Sequence, residues 1–221
     1  MISNRRAAEL CSDLYSAPTA FPVFDAGADD GICWAISRED DTDVIVLRGS
    51  VTFQDWVRDL LAFANPYASR RLGPVHAGFY LGLDNAWTDM KPFLRHDAPL
   101  AITGHSLGAA RASLLTGIAL QDGYNPAARI VFGEPKPGFA QLAAYIAPVP
   151  AWSYRNGNGV HHDIVTDVPF TLPPADYVHP TKLLSVCAEP PERDQFGVFA
   201  WHSMSLYLKA LSDPATVPQP I

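Results

Sequence analysis

The sequence predicts an α/β fold: a mostly parallel sheet with helices packed on its flanks. Three observations carry that expectation. Short apolar runs rich in valine, isoleucine and leucine alternate with segments of helical periodicity. One of those runs, "PLAIT" (99–103), passes through a glycine-flanked serine in "TGHSLGAA" straight into an alanine-rich helical stretch. No repeat or low-complexity linker interrupts the 221 residues, so 1–221 reads as a single domain.

The elements follow in order. Residues 3–16 read as a helix, because Ala7, Leu10, Cys11 and Leu14 recur at three- and four-residue steps. "GICWAIS" (31–37) and "DVIVLRG" (43–49) read as strands. "TFQDWVRDLLAFA" (52–64) reads as a helix with Phe53, Trp56, Val57, Leu60 and Leu61 on one face. "AGFYLGLDNAWTDMKPFL" (77–94) has helical spacing, weakened by two glycines. A helix over 106–121 follows the strand at 99–103. "ARIVFG" (128–133), "AWSYRN" (151–156) and "KLLSV" (182–186) are further strands, while 138–147 and "HSMSLYLKALS" (202–212) are further helices. The prolines crowd late connections such as "FTLPPADYVHP", which read as surface loops.

Composition narrows the function. The net charge is −7 and no block of Lys and Arg occurs, which argues against a nucleic-acid footprint. Cys11, Cys33 and Cys187 are too far apart for a metal motif, and an odd number cannot form a complete disulfide set. They are expected as small buried thiols. The first residues carry no apolar signal core, and no run approaches the ~20 apolar residues that span a bilayer. The expected placement is cytoplasmic, or secreted had a leader been removed. Nothing in the pattern asks for a metal or a cofactor.

The stretch "TGHSLGAA" carries the chemistry. A strand ending near Thr103 and a helix beginning near Ser106 would hold that serine on a tight turn with its hydroxyl raised above the sheet. Bulky residues two places before or after would collide with strand and helix, so Gly104 and Gly108 flank His105 and Ser106. The turn aims helix N–H groups, that of Leu107 foremost, at an oxyanion forming beside the serine. A nucleophilic serine on such a turn takes its acid and base from later in the chain, in the order Ser, Asp or Glu, His. His161, His162, His179 and His202 are downstream, as are Asp163, Asp167 and Asp176. Asp163 and Asp167 follow the strand 151–156, at the sheet end where ligands collect. His202 follows a long loop and can reach across the sheet edge, whereas His179 suits a packing or hydrogen-bonding role. The "HHD" at 161–163 does not suggest a metal, since adjacent residues converge poorly on one ion. A second oxyanion donor must come from a loop ending a neighbouring strand, and Ser50, after Gly49 in "VIVLRGSVTFQDW", can supply it.

Taken together, "LRGSVTFQDWVRDL", "VHAGFY", "ITGHSLGAARASLL", "FGEPKPG", "YRNGNGVHHDIVTDVPFTLPP" and "WHSMSLYL" resemble the class 3 lipases, the filamentous-fungal type of the α/β-hydrolase fold. The resemblance implies Ser106 as nucleophile, His202 as base, and Ser50 with Leu107 as the oxyanion hole. Its acid motif, Asp-x-Val-Pro before Leu-Pro-Pro, is matched twice, at Asp163 and Asp167. The distance from the serine and the Asp-Ile-Val start favour Asp163. The chain departs from the family in its Lys136, where arginine is common, in its short length, and in lacking counterparts for the disulfide cysteines of secreted members.

The resemblance further implies a lid. The apolar stripe of 52–64 would cover an acyl groove and open at a lipid surface, with plain core packing as the alternative. The expected activity is hydrolysis of acylglycerols or similar carboxylic esters through an acyl-enzyme on Ser106. The partner is then a lipid or small-molecule ester, with lipid-interface contact and no nucleic acid. A phospholipase, a carboxylesterase for soluble esters and a non-catalytic lipid-binding protein are the rival readings.

Overall fold

A computed structural model describes residues 1–27, 31–49, 66–69, 72–170, 176–191, 197 and 199–221. The strands are β1 (Val23–Asp25), β2 (Trp34–Glu39), β3 (Thr42–Leu47), β4 (Pro66–Ser69), β5 (Gly73–His76), β6 (Leu100–His105), β7 (Pro126–Phe132), β8 (Ala151–Asn158), β9 (His161–His162), β10 (Leu183–Val186) and β11 (Gln219–Pro220). Among the described residues they form a nine-stranded sheet in the order β1-β2-β3-β6-β7-β8-β10-β11, with β9 paired to β8, and a separate β4–β5 hairpin. The centre, β3-β6-β7-β8-β10, is parallel throughout, and antiparallel strands close both edges. This is the α/β-hydrolase arrangement, with helices on both faces.

Both faces of the central strands are covered, so every residue of β3 and of β6 is buried. Alternation divides their side chains between two cores. Ile45, Leu47, Leu100, Ile102 and Val131 point to one side. There they meet α2 (Ala77–Tyr80), α3 (Leu83–Met90), α4 (Leu107–Gln121) and α5 (Ala140–Ile146). Val44, Val46, Ala101, Ile130 and Phe132 point to the other, where α1 (Asn4–Ser16) and α6 (Met204–Ser212) pack together. The α1 stripe of Ala7, Leu10, Cys11 and Leu14 is fully buried there, and Ser3 caps the helix by accepting from Arg6 N–H. Helix α4 follows another rule. Its residues from Leu107 to Ala119 are all buried, so it is a core helix with no polar face.

Several expectations are corrected. The helix over 77–94 is split into α2, α3 and a 3₁₀ turn over Lys91–Phe93, because Gly82 adopts φ +80° and Pro92 ends the α-helical hydrogen bonding. His202 does not start the last helix: it closes a 3₁₀ turn (Ala200–His202), and α6 begins at Met204. The short edge strands β1 and β11, the hairpin β4–β5 and β9 lack the apolar runs that announce a strand. Cys11 and Cys33 are buried thiols, but Cys187 is exposed. The helix expected over 52–64 lies outside the described residues, as does Ser50. Among the described residues, no helix is long and apolar enough to cross a membrane.

Candidate active site

The glycine spacing of "GHSLG" has a steric origin. Strand β6 leads directly into α4 through Ser106, which holds φ +61° and ψ −127°, a backbone state rare for any residue but glycine. A Cβ on Gly104 would strike the Gly108 carbonyl, and a Cβ on Gly108 would strike the Leu47 carbonyl of β3. Only two glycines let strand, turn and helix pass so closely. The turn is anchored to the next strand by Ser106 N–H, which donates to Phe132 O at 3.0 Å. Leu107 is the first residue of α4, where backbone N–H groups lack intrahelical acceptors and point outward.

Ser106, His105 and His202 line one cavity of about 420 Å³, together with Tyr15 of α1, Phe199 and Met204. Ser106 Oγ has no hydrogen-bond partner among the described residues. The His202 ring is buried and fixed by Asp163, whose Oδ2 lies 2.7 Å from Nδ1. A carboxylate can only accept, so Nδ1 carries the proton and Nε2 is the basic nitrogen.

Asp163 is held from three further directions. Its Oδ1 accepts Val165 N–H at 3.0 Å, its Oδ2 accepts the Tyr207 hydroxyl at 2.5 Å, and its own N–H donates to Asn156 O at 2.9 Å. Burial pushes its carboxyl pKa upward. The charge and hydrogen bond of His202, with those from Tyr207 and Val165, outweigh burial and leave it below the usual aspartate value. Tyr207 itself is raised well above the ordinary phenol, by burial first and then by the Asp163 charge, so it stays a donor. Asn156 N–H in turn donates to the Tyr207 oxygen at 3.1 Å. The end of β7 closes this cluster tightly. A Cβ on Gly133, at φ +58°, would sit 2.6 Å from Asp163 Oδ2 and 2.8 Å from His202 Cε1.

The other candidates lie elsewhere. Asp167 Oδ2 is 2.8 Å from His162 Nε2, and Lys136 Nζ donates to the Asp167 carbonyl at 2.9 Å. Asp176 is exposed. His179 donates from Nε2 to Thr166 O at 2.8 Å, and its Nδ1 lies 3.9 Å from buried Glu134. His161 stacks on Trp201 with centroids 6.1 Å apart. Ser50, Phe53, Trp56, Val57, Leu60 and Leu61 fall outside the described residues. Gly49, which precedes Ser50, is described: a Cβ there would lie 2.7 Å from Ser106 Cβ. Tyr15, Tyr207 and Gly133 escape sequence reasoning, since only the fold brings Tyr15 into the cavity with Ser106 and sets Tyr207 and Gly133 against Asp163.

A family model described as lipase (class 3) matches residues 44–172, more than half of the chain. The fold is similar to that of a lipase from Rhizopus microsporus var. chinensis, with a TM-score of 0.69, 19% identity, and 92% of this chain and 83% of that one covered. It is also similar to lipase II from Rhizopus niveus (TM-score 0.68, 19% identity, 82% and 77% covered). A third likeness is to the Rhizomucor miehei triacylglyceride lipase (TM-score 0.66, 20% identity, 82% and 77% covered).

Proposed function

The chain belongs to the class 3 lipase family, a family of serine ester hydrolases, and from that premise we propose that Ser106, His202 and Asp163 are the catalytic triad of a triacylglycerol lipase-like enzyme. The observation that carries the reading is the 2.7 Å bond from His202 Nδ1 to a fully buried Asp163, beside a cavity that holds Ser106.

In the proposed reaction His202 Nε2 takes the Ser106 proton as Oγ attacks the ester carbonyl. The carbonyl oxygen gains the negative charge and meets the N–H of Leu107 and a donor from Ser50. The tetrahedral intermediate collapses, and His202 gives its proton to the departing alkoxide, which leaves as an alcohol. Water then attacks the acyl-enzyme by the same steps in reverse roles, releasing the carboxylic acid and restoring the serine. Throughout, Asp163 keeps the ring in one tautomer and offsets the charge of the imidazolium.

The proposed substrates are acylglycerols or similar lipid esters, supported by the triacylglyceride lipase among the similar folds. The proposed lid, 52–64, rests on the family resemblance and on its apolar stripe. The test uses fluorophosphonate labelling and turnover of p-nitrophenyl and glycerol esters of graded chain length. Wild-type protein should take up one label, and Ser106→Ala should lose both label and turnover while keeping its melting temperature. Esterase activity retained in Ser106→Ala would defeat the assignment. A rate rise at the concentration where ester droplets form would support the lid, and its absence would count against it.

A further inference from the structure

We propose that Tyr15 and His105 are positioning residues: one relay of hydrogen bonds through them holds the oxyanion strand end, the nucleophile turn and the loop of the base in register. The inference rests on the reading of Ser106 and His202 as catalytic.

The relay has three links. Gly49 N–H donates to the Tyr15 oxygen at 2.9 Å, Tyr15 and His105 Nδ1 are 3.0 Å apart, and His105 Nε2 lies 2.8 Å from the His202 carbonyl oxygen. Its direction follows from the last link. A carbonyl only accepts, so Nε2 must carry the proton. Neutral His105 then has a bare Nδ1, and the Tyr15 hydroxyl must donate to it. The phenol oxygen is left to accept from Gly49. Burial foremost, with the nearby His202 charge, lowers the His105 pKa to about 3, so the ring is neutral at working pH. The ionisable groups facing it are Tyr15 on α1, Tyr207 on α6 and His202, with Asp163 acting at longer range.

The links join segments far apart in sequence, by 34, 90 and 97 residues. Gly49 immediately precedes Ser50, His105 immediately precedes Ser106, and the final acceptor is the main chain of the base itself. The His105 ring also stacks on the His202 ring, with centroids 4.6 Å apart and planes 30° apart. A neutral ring there supports the imidazole without opposing the charge it gains in the reaction. Tyr15 sits at the end of α1, outside the residues 44–172 that carry the family match. A Cβ on Gly49 would meet Tyr15 Oη at 2.7 Å and His105 O at 2.9 Å, so the three segments already touch.

The test is Tyr15→Phe, which keeps the ring and deletes the relay oxygen. The expected result is a fall in kcat of about tenfold or more on a p-nitrophenyl ester, with KM within about twofold, because the machinery is loosened rather than the substrate contacts. His105→Gln, which keeps a donor near the Nε2 position, should retain more kcat than His105→Ala. Nitrogen NMR of the wild type should find His105 protonated on Nε2 alone, and Tyr15→Phe should shift its Nδ1 resonance toward that of a free acceptor. A rise in KM at constant kcat would make Tyr15 a substrate contact and overturn the proposal. So would unchanged kinetics with only a lowered melting temperature, or a wild-type His105 protonated on Nδ1, the last readable even if Tyr15→Phe does not fold. Should wild-type protein neither turn over esters nor take up fluorophosphonate, the catalytic reading fails first and the proposal falls with it.

Discussion

Gly133→Ala is the sharpest probe of the proposed triad, because the perturbation is a single methyl group aimed at its hydrogen bond. Two costs add. Gly133 holds φ +58°, where an L-residue costs roughly 1–2 kcal/mol. At about 2–4 °C per kcal/mol for a chain of this size, the melting temperature should fall by roughly 2–8 °C. The second cost is steric. The new Cβ would lie 2.6 Å from Asp163 Oδ2, and ordinary contact begins at 3.4 Å. The carboxylate must retreat by about 0.8 Å, which stretches its 2.7 Å bond to His202 past the ~3.2 Å limit of a good hydrogen bond. Misplacing a catalytic group by ~1 Å costs about 100-fold in rate. The assay is kcat and KM on a p-nitrophenyl ester together with a thermal melt. Gly159→Ala is the control: φ is +55°, and nothing lies within 4 Å of its Cβ. It should show the backbone loss of roughly 2–8 °C alone, with activity within about twofold of wild type. A Gly133→Ala enzyme that keeps more than about a third of wild-type kcat would refute the reasoning.

Three further outcomes are expected. Asp163→Asn should lower kcat by about 10⁴-fold, since the amide no longer selects the productive tautomer, whereas Asp167→Asn should stay within about threefold; steady-state kinetics would expose the reverse. Glu134→Gln should cost about 3–5 kcal/mol in urea unfolding, because fully buried Arg129, 3.1 Å from Glu134 Oε1, loses its countercharge. A loss under about 1 kcal/mol would refute the role of Glu134 as that countercharge. Burial lowers the pKa of His76 to about 4 and that of His105 to about 3, both from 6.5. Between those values the unfolded chain binds protons that the folded one refuses, so stability falls as pH drops below 6.5. Each histidine contributes about 1.4 kcal/mol per pH unit, and the slope of unfolding free energy against pH should fall accordingly in His76→Phe. A slope unchanged by that substitution would show that His76 does not contribute.

Much of the architecture is legible in the sequence because central strands covered on both faces must be apolar throughout, as "DVIVL" and "PLAIT" are. The turn at Ser106 is legible for a related reason: only glycine fits where β3, β6 and α4 cross, so the crowding leaves a mark at fixed spacing. The edge strands leave none. β1 and β11 are three and two residues long and partly solvated, so neither periodicity nor composition betrays them. The choice between Asp163 and Asp167 is equally invisible locally, since two overlapping motifs share one loop. It becomes a geometric question only when the β8–β9 hairpin turns one carboxylate inward and leaves the other beside His162. Tyr15 and Tyr207 are illegible because their significance lies in a helix packing behind the sheet, and a tyrosine in a helical stripe reads as ordinary core. Ser50, the proposed oxyanion donor, and the 52–64 segment lie outside the described residues.

The pairing of α1 with α6 bears on how the protein comes into being. A ribosome delivers the turn at Ser106 about midway along these 221 residues, with β3 already made and β7 soon after. The imidazole that would activate the serine, and the α6 tyrosine that steadies its carboxylate, emerge only with the closing segment. A chain halted before residue 202 would lack both the proposed base and the α6 tyrosine that donates to Asp163. On the proposed triad, the serine gains its base only when the segment of α6 is in place beside α1.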